Sequence, residues 1–220
     1  MARPLFDPQQ LPVDAIAGEP PVPAAALAPD ALRAHFARAP YFEAEPGDAA
    51  FVLRPDPTPA AVLIPLVQRP EGLTVLLTRR TAHLSAHAGQ ISFPGGRAED
   101  FDASPVDTAL RETEEEIGLH RRYIDVLGVL PDYLTGTGFQ VTPVAGLVAP
   151  PFELNPDANE VDEVFEVPLA FLMDGAHHQR LSFELPEGGR RAFYAMPYGD
   201  YFIWGATAGM LRNLFHFLRA

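Results

Sequence analysis

Residues 95–119, GGRAEDFDASPVDTALRETEEEIGL, read as a glycine turn that feeds an amphipathic, acid-rich helix. Ser104 supplies a capping hydroxyl, Pro105 suits the first helical position, and Asp107 places a carboxylate in the first turn. Val106, Leu110, Thr113 and Ile117 recur at helical spacing and give a face to bury, and Gly118 is placed to end the helix. Glu112, Glu115 and Glu116 share a different side, where like charges four residues apart repel by about 0.2–0.5 kcal/mol per pair. Arg111 can offset part of that by reaching Glu115. A solvated acidic helix end is the plain alternative. The Gly95–Gly96 pair argues for more, because it lets backbone approach a cation that the carboxylates could share.

The stretch resembles the signature of the Nudix hydrolases, which runs Gly, five residues, Glu, seven residues, then Arg-Glu-apolar-x-Glu-Glu-x-Gly-apolar. Here Gly96 is followed after five residues by Asp102, and Arg111-Glu112-Thr113-Glu114-Glu115-Glu116-Ile117-Gly118-Leu119 completes it. Asp102 stands for the first Glu, one extra residue precedes Arg111, and Thr113 stands at an apolar position. Asp with the longer spacing is similar to the coenzyme A pyrophosphatase branch. Upstream, residues 76–96, LLTRRTAHLSAHAGQISFPGG, resemble that branch's own motif, LLTxRSxxLRxHxGQISFPGG, with Thr81 for Ser and Ser85 for Arg. Weaker similarity extends from about residue 58 to residue 212 and includes Phe202 to Gly209.

The resemblance implies an α/β fold, a Nudix-type α/β/α sandwich around a mixed β-sheet. It implies Mg²⁺ or Mn²⁺ held by Glu112, Glu115, Glu116 and a carbonyl of Gly95, with Glu160 or Glu163 of a second acidic patch completing the set. Oxygen ligands of this kind suit a hard cation. Glu112 would act as general base or water-orienting group, or as a metal ligand, and both roles stay open. Arg111 would hold the helix in register. Arg80, Arg97 and His87 are candidates for substrate contact, against ordinary strand-end or loop roles. The implied reaction cuts the diphosphate of coenzyme A or a derivative into 3′,5′-ADP and a 4′-phosphopantetheine fragment. Alternatives are another nucleoside diphosphate derivative (ADP-ribose, NADH or a nucleoside triphosphate) and a non-catalytic nucleotide-binding or regulatory module.

Composition narrows the field. Sixteen basic against twenty-nine acidic residues leave a charge of −13, the wrong sign for a nucleic-acid surface. There is no cysteine, which excludes disulfides, thiolate zinc sites and cysteine catalysis. All sixteen basic residues are arginine, so no lysine phosphate loop or Schiff base is available. The apolar runs are too short for a membrane span, and no signal peptide is expected at the start. A cytoplasmic location fits, with monomer or homodimer undecided.

Residues 1–27 alternate Pro and Ala and are expected to be a flexible arm, with 28–220 a single domain ending in a family-specific helix. Asp30–Ala39 suits a short helix with Leu32 and Phe36 inward, and a short strand is expected near Phe51–Leu53. Strands are expected at Ala60–Val67, interrupted or edge-like at Pro65, and at Leu73–Thr78, Ile91–Phe93, Ile124–Leu130 and Val141–Leu147. Pro131–Phe139 reads as a flexible loop. Phe165–Leu172 reads as strand then helix, Leu181–Met196 as a hairpin, and Gly205–Leu218 as a helix burying Leu211, Leu214, Phe215 and Leu218.

Overall fold

The computed structural model describes residues 7–45, 56–81, 89–185 and 189–220; the expected strand near Phe51–Leu53 lies outside them. In chain order the elements begin with β1 (Val13–Ile16), α1 (Pro29–Arg38), β2 (Thr58–Arg69), β3 (Gly72–Arg80), β4 (Ile91–Ser92), β5 (Gly95–Arg97) and α2 (Pro105–Ile117). There follow β6 (Ile124–Val129), β7 (Tyr133–Leu134), β8 (Phe139–Val148), β9 (Val161–Pro168) and α3 (Leu169–Leu172). The chain closes with β10 (Gln179–Glu184), β11 (Arg190–Tyr198), β12 (Tyr201–Trp204) and α4 (Gly205–Arg219).

β2 organises the larger, eight-stranded sheet. It runs parallel to β8 from Thr58 to Val67 and antiparallel to β5 at Ala60–Val62 and to β3 at Leu66–Arg69. The sheet is therefore mixed, as expected. Its alternation sorts two cores. Ala61, Leu63 and Val144 pack with Ala109 of α2, and Val67, Leu76 and Val148 pack with Ile117 at its end. Ile64, Leu66, Leu77, Ala145 and Leu147 face the other way, toward Leu32 and Phe36 of α1 and Leu211, Leu214 and Phe215 of α4. Helices thus cover both faces, the α/β/α arrangement. A second, four-stranded sheet, ordered β1-β10-β11-β12, carries Met196 and Ile203 into that same second core. No described helix is long and apolar enough to cross a membrane.

Several local expectations change. Residues 7–27 do not stand apart as an arm: β1 pairs with β10, Val22 and Leu27 are buried, and the N–H groups of Ala17, Gly18 and Val22 donate at 2.9 Å to His178, Gly175 and Met173. Prolines silence only their own donors, and the residues between them still find partners far along the chain. β2 is continuous through Pro65. The Leu63 N–H donates to Pro94 on the β5 side, so the absent Pro65 N–H would point the same way, between the end of the β5 pairing at Val62 and the start of the β3 pairing at Leu66. The expected loop at Pro131–Phe139 contains β7, which pairs Tyr133 with Val141 and Leu134 with Gln140.

Candidate active site

Helix α2 begins and ends where its caps dictate. The Ser104 hydroxyl accepts the Asp107 N–H at 3.2 Å, and Gly118, at φ 70°, donates its N–H to the Glu114 carbonyl at 3.0 Å. Between those limits Glu116 falls on the buried side, against the sheet, and Glu115 points outward.

The glycine pair is what admits the carboxylates. Gly95 has φ 151°, and a Cβ there would collide with the Ala61 carbonyl and Val62 Cα of β2. Its N–H donates to Oε2 of Glu116 at 3.1 Å. A Cβ on Gly96 would land on the Glu112 carboxylate. Two carboxylates one helical turn apart therefore rest directly on β5. Burial pushes the Glu116 carboxyl up to about 7, aided by Glu160 and Glu112, while the Gly95 N–H and Arg80 pull it down. Burial likewise raises Glu112 against the pull of Arg111.

Arg111 joins the β5–α2 loop to the helix. Its Nε and Nη2 make a bidentate pair with Asp102 at 2.9 and 2.8 Å, and Nη2 also donates to the Arg97 carbonyl at 3.1 Å. Nη1 reaches Glu112 at 2.7 Å and Glu115 at 2.9 Å. The guanidinium holds Asp102 well below the usual carboxylate range. Asp102 is thus an anchor for Arg111, and the offset expected between Arg111 and Glu115 is present. Glu114 turns away and pairs with Arg121 at 2.7 Å.

The two acidic candidates outside the helix separate. Thr81 donates its N–H to the Glu160 carbonyl and its hydroxyl to the Asn159 carbonyl, both at 3.0 Å. That clamp sets Glu160 close enough to raise both Glu112 and Glu116. Glu163 pairs with Arg79 at 2.8 Å and accepts the Tyr201 hydroxyl at 2.8 Å. The physical reason is a register shift between Arg79 and Arg80 opposite Glu163 and Val161. It leaves Val161 and Val164 in the core beneath α2 and Phe165 in the opposite one. In the sequence Thr81 stood only as a substitute for Ser in the upstream motif; its bonds to Asn159 and Glu160 give it a structural role.

Arg80 reaches Oε1 of Glu116 at 3.6 Å. Arg97 is exposed, and His87 lies outside the described residues. Among the described residues no three acidic or imidazole side chains converge into a ready metal site. Arg111 pairs with Glu112 and Glu115, and the Gly95 N–H donates to Glu116. The chemistry of these groups still suits a hard cation: several carboxylate oxygens, and a strand with no Cβ at Gly96 to block them.

A NUDIX domain profile matches residues 57–184. The uncharacterized Nudix hydrolase NudL of Escherichia coli strain K12 is 45% identical over 156 residues, covering 70% of this chain and 80% of that protein. Among solved structures, RenU, a Nudix hydrolase from M. smegmatis, is 27% identical with a TM-score of 0.44, covering 52% of this chain and 72% of its own. A C. elegans Ap4A hydrolase binary complex is 17% identical with a TM-score of 0.44, covering 50% of this chain and 80% of its own.

Proposed function

This chain belongs to the Nudix hydrolase family, and from that premise we propose that its site cuts the diphosphate linkage of a nucleotide-containing small molecule. The seating of Glu112 and Glu116 on Gly95–Gly96 carries the reading. Glu112, Glu115, Glu116 and Glu160, with the Gly95 carbonyl, would hold Mg²⁺ or Mn²⁺. Glu163 is the weaker candidate because Arg79 and Tyr201 already engage it. When bound, the cation supplies Lewis-acid polarisation of a phosphate oxygen and neutralises developing charge.

The protein's own groups do the rest. Glu112, made more basic by burial, accepts a proton from the attacking water or orients it, while Arg111 fixes the direction of its carboxylate. The water oxygen bonds to one phosphorus, the bridging P–O bond breaks, and the departing phosphate keeps the electron pair. Arg80 and Arg97 contact the phosphates, with His87 as a further substrate contact. Our finer reading of the substrate is coenzyme A or a derivative, supported by the sequence of residues 76–96. Ser85, in the place of that motif's Arg, favours the second reading, another nucleoside diphosphate derivative. The relatives' names support the family chemistry and stop there.

Product-resolved assays of coenzyme A, acetyl-CoA, ADP-ribose, NADH and a nucleoside triphosphate, with Mg²⁺ or Mn²⁺ and an EDTA control, test this. Metal-dependent cleavage is expected, with Glu112→Gln slower by about 10²–10⁴-fold. Release of 3′,5′-ADP supports the finer reading; preference for another diphosphate replaces it. Silence across the panel with metal bound, or full turnover by Glu112→Gln, sinks the catalytic assignment.

A further inference from the structure

Arg80 closes β3 on the face that looks toward α2. Its backbone is held on both sides: its N–H donates to the Gln90 carbonyl at 3.0 Å, and its carbonyl accepts the Gly89 N–H at 3.1 Å. The next residue, Thr81, is bonded to Asn159 and Glu160. The root of the side chain is therefore fixed between Gly89–Gln90 on one side and the Asn159–Glu160 segment that holds Thr81 on the other. Its far end is not. Nη1 stands 3.6 Å from Oε1 of Glu116, beyond a well-formed hydrogen bond, and the side chain is 29% exposed. Glu116 itself is only 7% exposed, and the Gly95 N–H already takes its Oε2.

Oε1 is thus the Glu116 oxygen that faces Arg80, and the one the Gly95 N–H does not take. A divalent cation and a guanidinium cannot both be well satisfied by it, because they repel each other as they approach. We propose that Arg80 is an exchangeable counter-ion: it balances Glu116 while the carboxylates hold no cation, and it passes to the substrate's diphosphate when a cation claims Glu116. Cation and diphosphate then bind with positive coupling that runs through this residue, since the anion removes the guanidinium from the cation's path. This rests on the diphosphatase reading above and assigns Arg80 a part in the order of binding.

The test measures Mn²⁺ affinity by electron paramagnetic resonance in substrate-free protein, alongside KM and kcat for whichever diphosphate the panel identifies. Arg80→Gln is expected to bind Mn²⁺ about 5-fold tighter or more, because its competitor is gone. The same variant is expected to show a raised KM with a smaller change in kcat. Arg80→Lys, which keeps the charge, returns Mn²⁺ affinity toward the wild-type value. Weaker Mn²⁺ binding by Arg80→Gln would mean that Arg80 merely positions Glu116, and unchanged binding that it serves the phosphates alone. Either result overturns the proposal and leaves the hydrolase reading intact. Failure of the wild-type protein to bind Mn²⁺ overturns both.

Discussion

Gly96 decides whether Glu112 can lie against β5, and it does so by size alone. Its backbone is not in the left-handed region, so alanine is conformationally acceptable; the obstacle is the Glu112 carboxylate where a Cβ would go. Gly96→Ala is therefore expected to fold and to push Glu112 aside. A displacement of about 1 Å in a catalytic group can cost about 10²-fold in rate. Steady-state kinetics beside a thermal melt would check this, and an unchanged kcat would show that Glu112 needs no fixed seat. Gly95→Ala differs, because its Cβ would meet backbone of β2. The side-chain identities at this scale were readable from the box spacing. The direction in which Glu163 turns was not, since the register shift beside Arg80 sets which face the start of β9 presents.

At the scale of elements, α2 is the best-specified piece of the chain. Proline, hydroxyl cap and terminal glycine are all local signals, and its bounds at Pro105 and Ile117 follow them. Ser104→Ala is expected to cost about 0.5–2 kcal/mol, read as a lower midpoint in urea with unchanged m-value. A neutral result would mean that the Asp107 N–H finds another acceptor. The short strands behave differently. β7 and β12 contribute two and four residues and exist because β8 and β11 offer partners. No propensity or periodicity accumulates over such lengths, which is why a loop was expected around Tyr133. Pro65 misled for a related reason: it interrupts a strand only where its missing donor has a partner to lose.

For the whole molecule, the telling group is Arg212 in α4, whose side chain is 3% exposed. Glu19 grips it at 2.8 and 3.1 Å, Glu45 at 3.2 Å, and Nη1 donates to Nδ1 of His178 at 3.1 Å. His178 must therefore be neutral, with Nε2 donating to the Leu172 carbonyl at 2.8 Å, and burial holds it down at about 4. An unfolded histidine takes its proton near 6.5, so stability from this site is complete above that pH and is lost as pH falls toward 4. Glu19, held at about 2 by Arg212, contributes above 4.5 and fades as pH falls toward 2. Glu19→Gln is expected to lose about 1.5–3 kcal/mol at pH 7, toward the lower end because Glu19 is partly exposed. Near pH 2 the variant and the wild type converge; urea titrations at both pH values check the sign. An equal deficit at both would mean that the ion pair contributes nothing. The sequence by itself determined the helix with its caps, the apolar runs of the central strands and the carboxylate box, because each rests on residues within a few positions of one another, and its composition excluded cysteine and lysine chemistry. Only the tertiary structure decided that Val13–Ile16 joins the second sheet, that Glu163 turns to Arg79 and Tyr201, and that Arg80 meets Glu116. Those depend on strand register and on contacts across most of the chain, where one residue's slip turns a side chain to the opposite face.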